Sequence, residues 1–326
     1  MQAIIGTWNA MNEQLWFVIV LFLIGLLFIV KGGDWFVDAA TWMAEASGIP
    51  KFLIGATVVS IATTLPEIIV SVMAAIEGST ELAIGNAVGS VTANIGLIMG
   101  VTLLFLPIAI RRKQFAVKGA IMVTAVLVLL LTCLDGQMTL GEGLICFAIF
   151  IVYIYENIRS AKSETGAAER AVVNKGDLAK NLGLFVIGTI LLVLGSRLLV
   201  DEGTILAQRI GVPERVIAVT MVAIGTSLPE LVTAITAIVK KQGGLSVGNI
   251  LGANIIDITL ILPLCSIISG GVLPVSQASF SLDMPFCLAE ALIAVVPTII
   301  RRKFSRLQGV AMLLVYGAYL AVTFIG

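Results

Sequence analysis

Along the chain, long apolar runs alternate with short charged connectors. Ten runs, near 15–40, 52–76, 82–108, 115–134, 140–158, 181–207, 214–239, 245–269, 279–300 and 306–325, match the length a helix needs to cross a hydrocarbon core, about 20 residues. The stretch from Leu15 to Val30 has no basic leader before it and no small-residue cleavage site after it, so it reads as the first span rather than a signal peptide. Polar residues interrupt two of the runs in the same way. IATTLPEIIV, from Ile61 to Val70, and IGTSLPELVT, from Ile224 to Thr233, each place a glutamate directly after a proline inside apolar sequence.

The two segments belong to a repeat. At an offset of 163 residues, Gly48 and Pro50 align with Gly211 and Pro213. Thr57, Val59, Ile61, Thr63, Leu65, Pro66 and Glu67 then align with Thr220, Val222, Ile224, Thr226, Leu228, Pro229 and Glu230. The register continues without a gap through Gly85, Asn86 and Gly89 onto Gly248, Asn249 and Gly252. Five spans per half is an odd number, so the second copy enters the membrane from the opposite side. The expected fold is an all-α membrane protein of ten transmembrane helices in two inverted five-helix repeats, 1–158 and 181–326. A cytoplasmic linker at 159–180, mixed in charge and rich in Ala and Gly, joins them. Transporters of this design hold substrate near the midplane, at broken helices in corresponding places of the two halves.

Composition agrees with a lipid solvent. Hydrophobic residues make up 59% of the 326 and charged residues 12%, against roughly a quarter charged in soluble domains. The cations are one-sided in this scheme. Lys51, Arg111, Arg112, Lys113, Lys118, Arg159, Lys162, Arg170, Lys175, Lys180, Lys240, Lys241, Arg301, Arg302, Lys303 and Arg306 fall on one side, and only Arg209 and Arg215 on the other. The positive-inside rule puts the richer side in the cytoplasm and both termini of this multi-pass protein outside it. There is no histidine, which excludes His-based triads, zinc motifs and proton relays. Zero net charge and short basic clusters without aromatic stripes give no support to nucleic-acid binding, and no feature implies an oligomer. Cys133, Cys146, Cys265 and Cys287 have no metal-ligand or disulfide spacing and read as small core residues.

The duplicated segments suit a hard cation. A proline inside a helix removes a donor and crowds the carbonyl four residues back. Pro66 therefore frees the carbonyl of Ala62, and Pro229 that of Gly225, and both kinks should loosen the carbonyls of Thr63 and Thr226. Unpaired carbonyls in hydrocarbon cost several kcal/mol each, and a bound cation offsets that cost. Glu67 shares a helix face with Thr63, and Glu230 with Thr226. Such carboxylates, hydroxyls and carbonyls are the oxygen ligands of which calcium takes about six to eight, and sodium accepts the same kind. Soft transition metals would want Cys or His.

The third span of each half adds a polar stripe: Asn86, Ser90 and Asn94 in one, Asn249, Ala253 and Asp257 in the other. Asn94 is neutral where Asp257 is ionisable, so Glu67, Glu230 and Asp257 give the site up to three negative charges. Emptying such a site in a dry pocket is costly, which favours exchange over leak. Intramembrane acids are usually functional. The glycine pairs Gly85 with Gly89 and Gly248 with Gly252 read as close-packing helix contacts. Asp34, Asp38 and Asp201 lie toward span ends as solvated or paired acids, and Glu290, midway along the ninth span, has no evident partner in the other half.

These residues resemble the calcium/cation antiporters, and within them the prokaryotic sodium/calcium exchangers. The resemblance covers essentially the whole chain. The family pattern Gly-Thr-Ser-Leu-Pro-Glu stands intact at Gly225 to Glu230 and modified at Ala62 to Glu67. It implies that Glu67 and Glu230 are shared calcium and sodium ligands, with backbone carbonyls from Thr63 and Thr226 and hydroxyls from Thr64 and Ser227. The family's second signature, Gly-Asn-x-x-Gly-Ser-Asn and a polar residue three positions on, brings in Asn94 and Asp257. Ser60 and Ala223 fall where backbone carbonyls serve flanking sodium sites. Ala253 replaces a family serine whose counterpart Ser90 is kept, and Val91 replaces the asparagine that Asn254 retains. The Gly-Asn-Ala-x-Glu pattern of proton-coupled calcium exchangers is missing.

The resemblance implies a secondary antiporter of the inner membrane exchanging calcium for sodium by alternating access. It implies transported ions but no cofactor and no enzymatic activity, and it makes the first two spans of each half the moving element. Rival expectations are the same fold with proton coupling or another divalent cation, a cation channel, or an intramembrane enzyme.

Overall fold

The computed structural model describes residues 14–105, 112–164, 175–211 and 225–325. Helix α1, Leu15–Ser47, outruns its expected span by two turns and stops at Gly48, whose φ of 68° suits a residue without a Cβ. The second apolar run is two helices, α2 (Lys51–Thr63) and α3 (Leu65–Ile76), bent by 44° at Thr64. Helix α4, Thr80–Phe105, is followed by α5 (Arg112–Thr132) and α6 (Leu140–Glu164). The second half contributes α7 (Lys175–Arg209), α8 (Leu228–Val239), α9 (Gly243–Ile268), α10 (Ser279–Arg301) and α11 (Arg306–Ile325).

Among the described residues, eight helices are long and apolar enough to cross a membrane, and α2 with α3 makes a ninth crossing if the bent pair is one span. Helix α8 is apolar but has only 12 residues, and the stretch expected to begin its span lies outside the described residues. Helices α6 and α7 each run into the expected linker, leaving 165–174 outside the described residues. Lys118, expected in a connector, is instead buried within α5, its ammonium 5.8 Å from the centre of the Phe52 ring.

Two layers follow from burial. The apolar windows of α4 and α9 are 72% and 83% buried, whereas those of α1 and α7 are 22% and 28% buried. Helices α4 and α9 are thus the centre, and α1 with α7 lies on the outside. Glycine sets both contacts. Gly25 faces Gly195, and Gly32 faces Gly188, so closely that an added Cβ would stand 2.8–3.1 Å from the opposing carbonyl oxygens. The reversed order of these pairs makes α1 and α7 antiparallel. In the centre, a Cβ on Gly55 or Gly248 would run into the backbone carbonyl of Leu245 or Phe52, and one on Gly252 into Ser60. Helix α2 is thereby joined to α9 backbone to backbone, as small residues permit in membranes.

A pair of short strands, β1 (Gln137–Thr139) and β2 (Val272–Pro274), lies outside the helical pattern. They pair antiparallel, Met138 opposite Leu273, and tie the connection after α5 to the one after α9. The four cysteines are buried and free.

Candidate cation site

The site is built where helices lose regularity. At Thr64 (φ −80°, ψ 0°) and Ser227 (φ −87°, ψ 8°) the backbone enters the sparsely populated region common in functional sites. Pro66 and Pro229 fall in the first turn of α3 and α8, where a missing amide is tolerated. The kinks expected within helices are therefore breaks just before the prolines. Glu67 and Glu230 then sit in the first turns of these helices, where the partial positive end of the backbone dipole favours an acid.

Helices α4 and α9 widen at matching places. Each carries a π-helical turn, Asn94–Met99 and Asp257–Ile261, which opens on the polar residue singled out from the sequence. Such turns disturb the regular carbonyl ladder and recur at functional sites. A third lies at Gly55–Val59 in α2, where the Tyr153 hydroxyl donates to the Ala56 carbonyl.

Ten of the eleven candidate residues are described, and all ten are buried: Ser60, Thr63, Thr64, Glu67, Ser90, Asn94, Thr226, Ser227, Glu230 and Asp257. Ala223 lies outside the described residues. Hydrogen bonds across the two halves join Thr63, Thr64, Ser90, Asn94, Thr226 and Glu230 into this region, and none of these bonds involves the side chain of Ser60, Glu67, Ser227 or Asp257. Thr63 Oγ1 donates to Asn249 Oδ1 at 3.1 Å, and at the matching positions Thr226 Oγ1 donates to Asn86 Oδ1 at 3.1 Å. Thr64 Oγ1 donates to Glu230 Oε1 at 3.5 Å, and the Ser90 and Thr226 hydroxyls are 3.5 Å apart. Asn94 Nδ2 donates to Asn254 Oδ1 at 3.1 Å. Asn86 Nδ2 also donates to Ser71 Oγ at 2.9 Å and to the Glu67 carbonyl at 3.3 Å, fixing α3 against α4.

Glu67 lies in the electrostatic field of both Glu230 and Asp257. Among the described residues, neither oxygen of Glu67 or Asp257 has a hydrogen-bond partner, nor do Glu230 Oε2, Asn94 Oδ1 and Ser227 Oγ. No three acidic or thiol groups among the described residues are arranged to clasp one ion. Carboxylates supply only part of the oxygen set, and neutral hydroxyl, amide and carbonyl oxygens make up the rest. A cluster of buried oxygens with few donors is matched to a cation, because an uncompensated charge in a dry interior costs several kcal/mol.

Asn249 and Asn254 bond across the centre to Thr63 and Asn94, contacts that spacing alone does not show. The same holds for Tyr153, which reaches α2 from a distant helix. Gly248 and Gly252 in α9 serve packing, whereas a Cβ on Gly85 or Gly89 in α4 would meet nothing within 4 Å among the described residues. Glu290 is fully buried, and its Oε1 stands 2.9 Å from where a Cβ on Gly96 would be, two residues beyond Asn94.

The family profile described as "Sodium/calcium exchanger protein" matches residues 17–159 and 180–325. Sodium/calcium exchanger MaX1 of Methanosarcina acetivorans is 31% identical, over 94% of this chain and 98% of that protein. Inner membrane protein YrbG of Escherichia coli is 32% identical, over 84% of this chain and 86% of that one. The solved structure of the sodium-calcium exchanger NCX_Mj, soaked with sodium and strontium, superposes with a TM-score of 0.82 at 30% identity and covers 94% of this chain and 99% of that one.

Proposed function

Since the chain belongs to the sodium/calcium exchanger family, we propose that it is a membrane antiporter passing calcium one way and sodium the other through one buried site between Glu67 and Glu230. The observation that carries the assignment is the pair of glutamates from corresponding breaks, both buried, with Thr64 at one break donating to Glu230 beyond the other. Thr63, Thr64, Thr226, Ser227, Asn94 and Asp257 complete the oxygen set, and Ser60, Ser90 and Ala223 border flanking sodium positions. A fixed negative site is neutralised by one divalent ion or by several monovalent ones, which makes the two cargoes alternatives.

The architecture is read as two inverted five-helix repeats. The reciprocal bonds Thr63–Asn249 and Thr226–Asn86 support it, as do the reciprocal glycine pairs Gly25–Gly195 and Gly32–Gly188. Both termini lie outside the cytoplasm. The moving element is narrower than the first two spans of each half, because α2 is joined to α9 through Gly55, Gly248 and Gly252. Helices α1 and α7 remain as a separable outer pair.

The test is calcium uptake into vesicles driven by a sodium gradient and, separately, by a pH gradient. Wild type responds to sodium, and Glu67→Gln or Glu230→Gln lowers uptake by about two orders of magnitude or more, the scale of removing one member of a buried charged cluster, while the protein still inserts. Uptake driven by pH alone removes sodium from the assignment, and full activity in both variants removes the site.

A further inference from the structure

The two halves are not in the same conformation where they meet the outer helix pair. At one end α1 lies on α8: a Cβ on Gly33 would come within 2.8 Å of Val232 Cγ1 and 3.0 Å of Thr236 Oγ1. The counterparts of Val232 and Thr236 are Ile69 and Met73 on α3, which are 57% and 48% exposed. The charges repeat this difference. Lys240, which caps α8, places its ammonium 2.8 Å from Asp38 Oδ1 and 3.3 Å from Asp34 Oδ1, and donates to the Asp34 carbonyl at 3.0 Å, all on α1.

At the same offset of 163, Lys240 corresponds to Glu77, Asp34 to Arg197 and Asp38 to Asp201. Glu77 caps α3 as Lys240 caps α8, and Arg197 lies on α7 as Asp34 lies on α1. The corresponding pair has its charges reversed: a core anion and an outer-helix cation. That pair is open. Glu77 is exposed and makes no ion pair among the described residues, while Arg197 is held by Asp201 on its own helix at 3.9 Å.

We propose that Lys240 with Asp34 and Asp38, and Glu77 with Arg197, are the two halves of a reciprocal latch that closes on one end of the outer helix pair at a time. This rests on the alternating-access reading above. In an inverted repeat the opposite state is reached when the halves exchange conformations. The contact now made by α1 on α8 is then made by α7 on α3, which covers Ile69 and Met73 and brings Arg197 to Glu77.

The test uses the full chain in proteoliposomes with a short, reducible thiol bridging reagent on Asp38→Cys/Lys240→Cys and on Glu77→Cys/Arg197→Cys. The native cysteines are buried, and wild type is the control. Each pair is expected to bridge and to stop sodium-driven calcium uptake until reduced, and in the fourfold variant no molecule carries both bridges. As a charge test, Arg197→Glu slows turnover about two- to fivefold, the scale of an exposed ion pair, and adding Glu77→Arg restores it. A 77–197 pair that never bridges, two bridges in one molecule, undiminished turnover when bridged, or purely additive charge variants overturns the latch. Wild-type vesicles without sodium-driven calcium flux instead overturn the exchanger reading, and the bridging pattern still decides the latch.

Discussion

Thr63 with Asn249, and Thr226 with Asn86, are single hydrogen bonds between side chains from opposite halves, each in a dry interior. Removing the Thr63 hydroxyl leaves Asn249 Oδ1 buried without its donor, which costs about 1–3 kcal/mol, and removing Asn249 leaves Thr63 only its weaker bond to the Ser60 carbonyl at 3.4 Å. Thr63→Val and Asn249→Ala should each lower the unfolding temperature in detergent, and the double variant should lose clearly less than the sum, as residues in contact do. Additive losses would mean that the two side chains do not share a bond. At this scale the sequence was most informative about the acids, because a glutamate after a proline in apolar sequence is costly unless used. It was least informative about partners. Asn254 opposite Asn94 and Tyr153 over Ala56 depend on which helices become neighbours, and no local spacing encodes that.

Helices α2 and α9 meet with so little space that glycine is required at the contact. Gly248→Ala would drive a methyl into the Phe52 carbonyl, and backbone cannot rotate away as a side chain can. The substitution should cost about 1–3 kcal/mol or more and show as a fall in folded yield and thermal stability. Gly143→Ala on α6 is the control, since its Cβ would meet Pro263 and Ser266 at ordinary distances of 3.5 and 3.6 Å. It should be neutral or stabilising by about 0.5–1 kcal/mol, the usual advantage of Ala over Gly in a helix. Equal behaviour of the two variants would remove the close contact. The proline-marked breaks were legible at this level because proline acts locally. The widened turns at Asn94 and Asp257 were not, since one extra residue per turn leaves no trace in a segment that is apolar on almost every face.

For the whole molecule, the distribution of lysine and arginine is the sole guide to which end faces the cytoplasm. Alkaline phosphatase fused after Gly326 should be active and a fluorescent protein at the same place dark. The opposite pattern would invert the assignment without disturbing the site. Of the ten expected spans, run lengths made eight or nine legible among the described residues, because lipid sets a minimum length, but the β1–β2 tie was not legible, because three-residue strands pair through backbone geometry. Asn94–Met99 and Asp257–Ile261 are wide turns at matching places of α4 and α9. On the inverted-repeat reading their simplest origin is one turn in a shorter ancestral gene, copied along with everything around it. Such an ancestor would have held the distortion and one glutamate of the site, and two of its products, inserted in opposite orientations in the same bilayer, would have assembled the whole. The neutral Asn94 opposite Asp257 then records the freedom gained at fusion, when a single chain no longer had to use the same side chain twice.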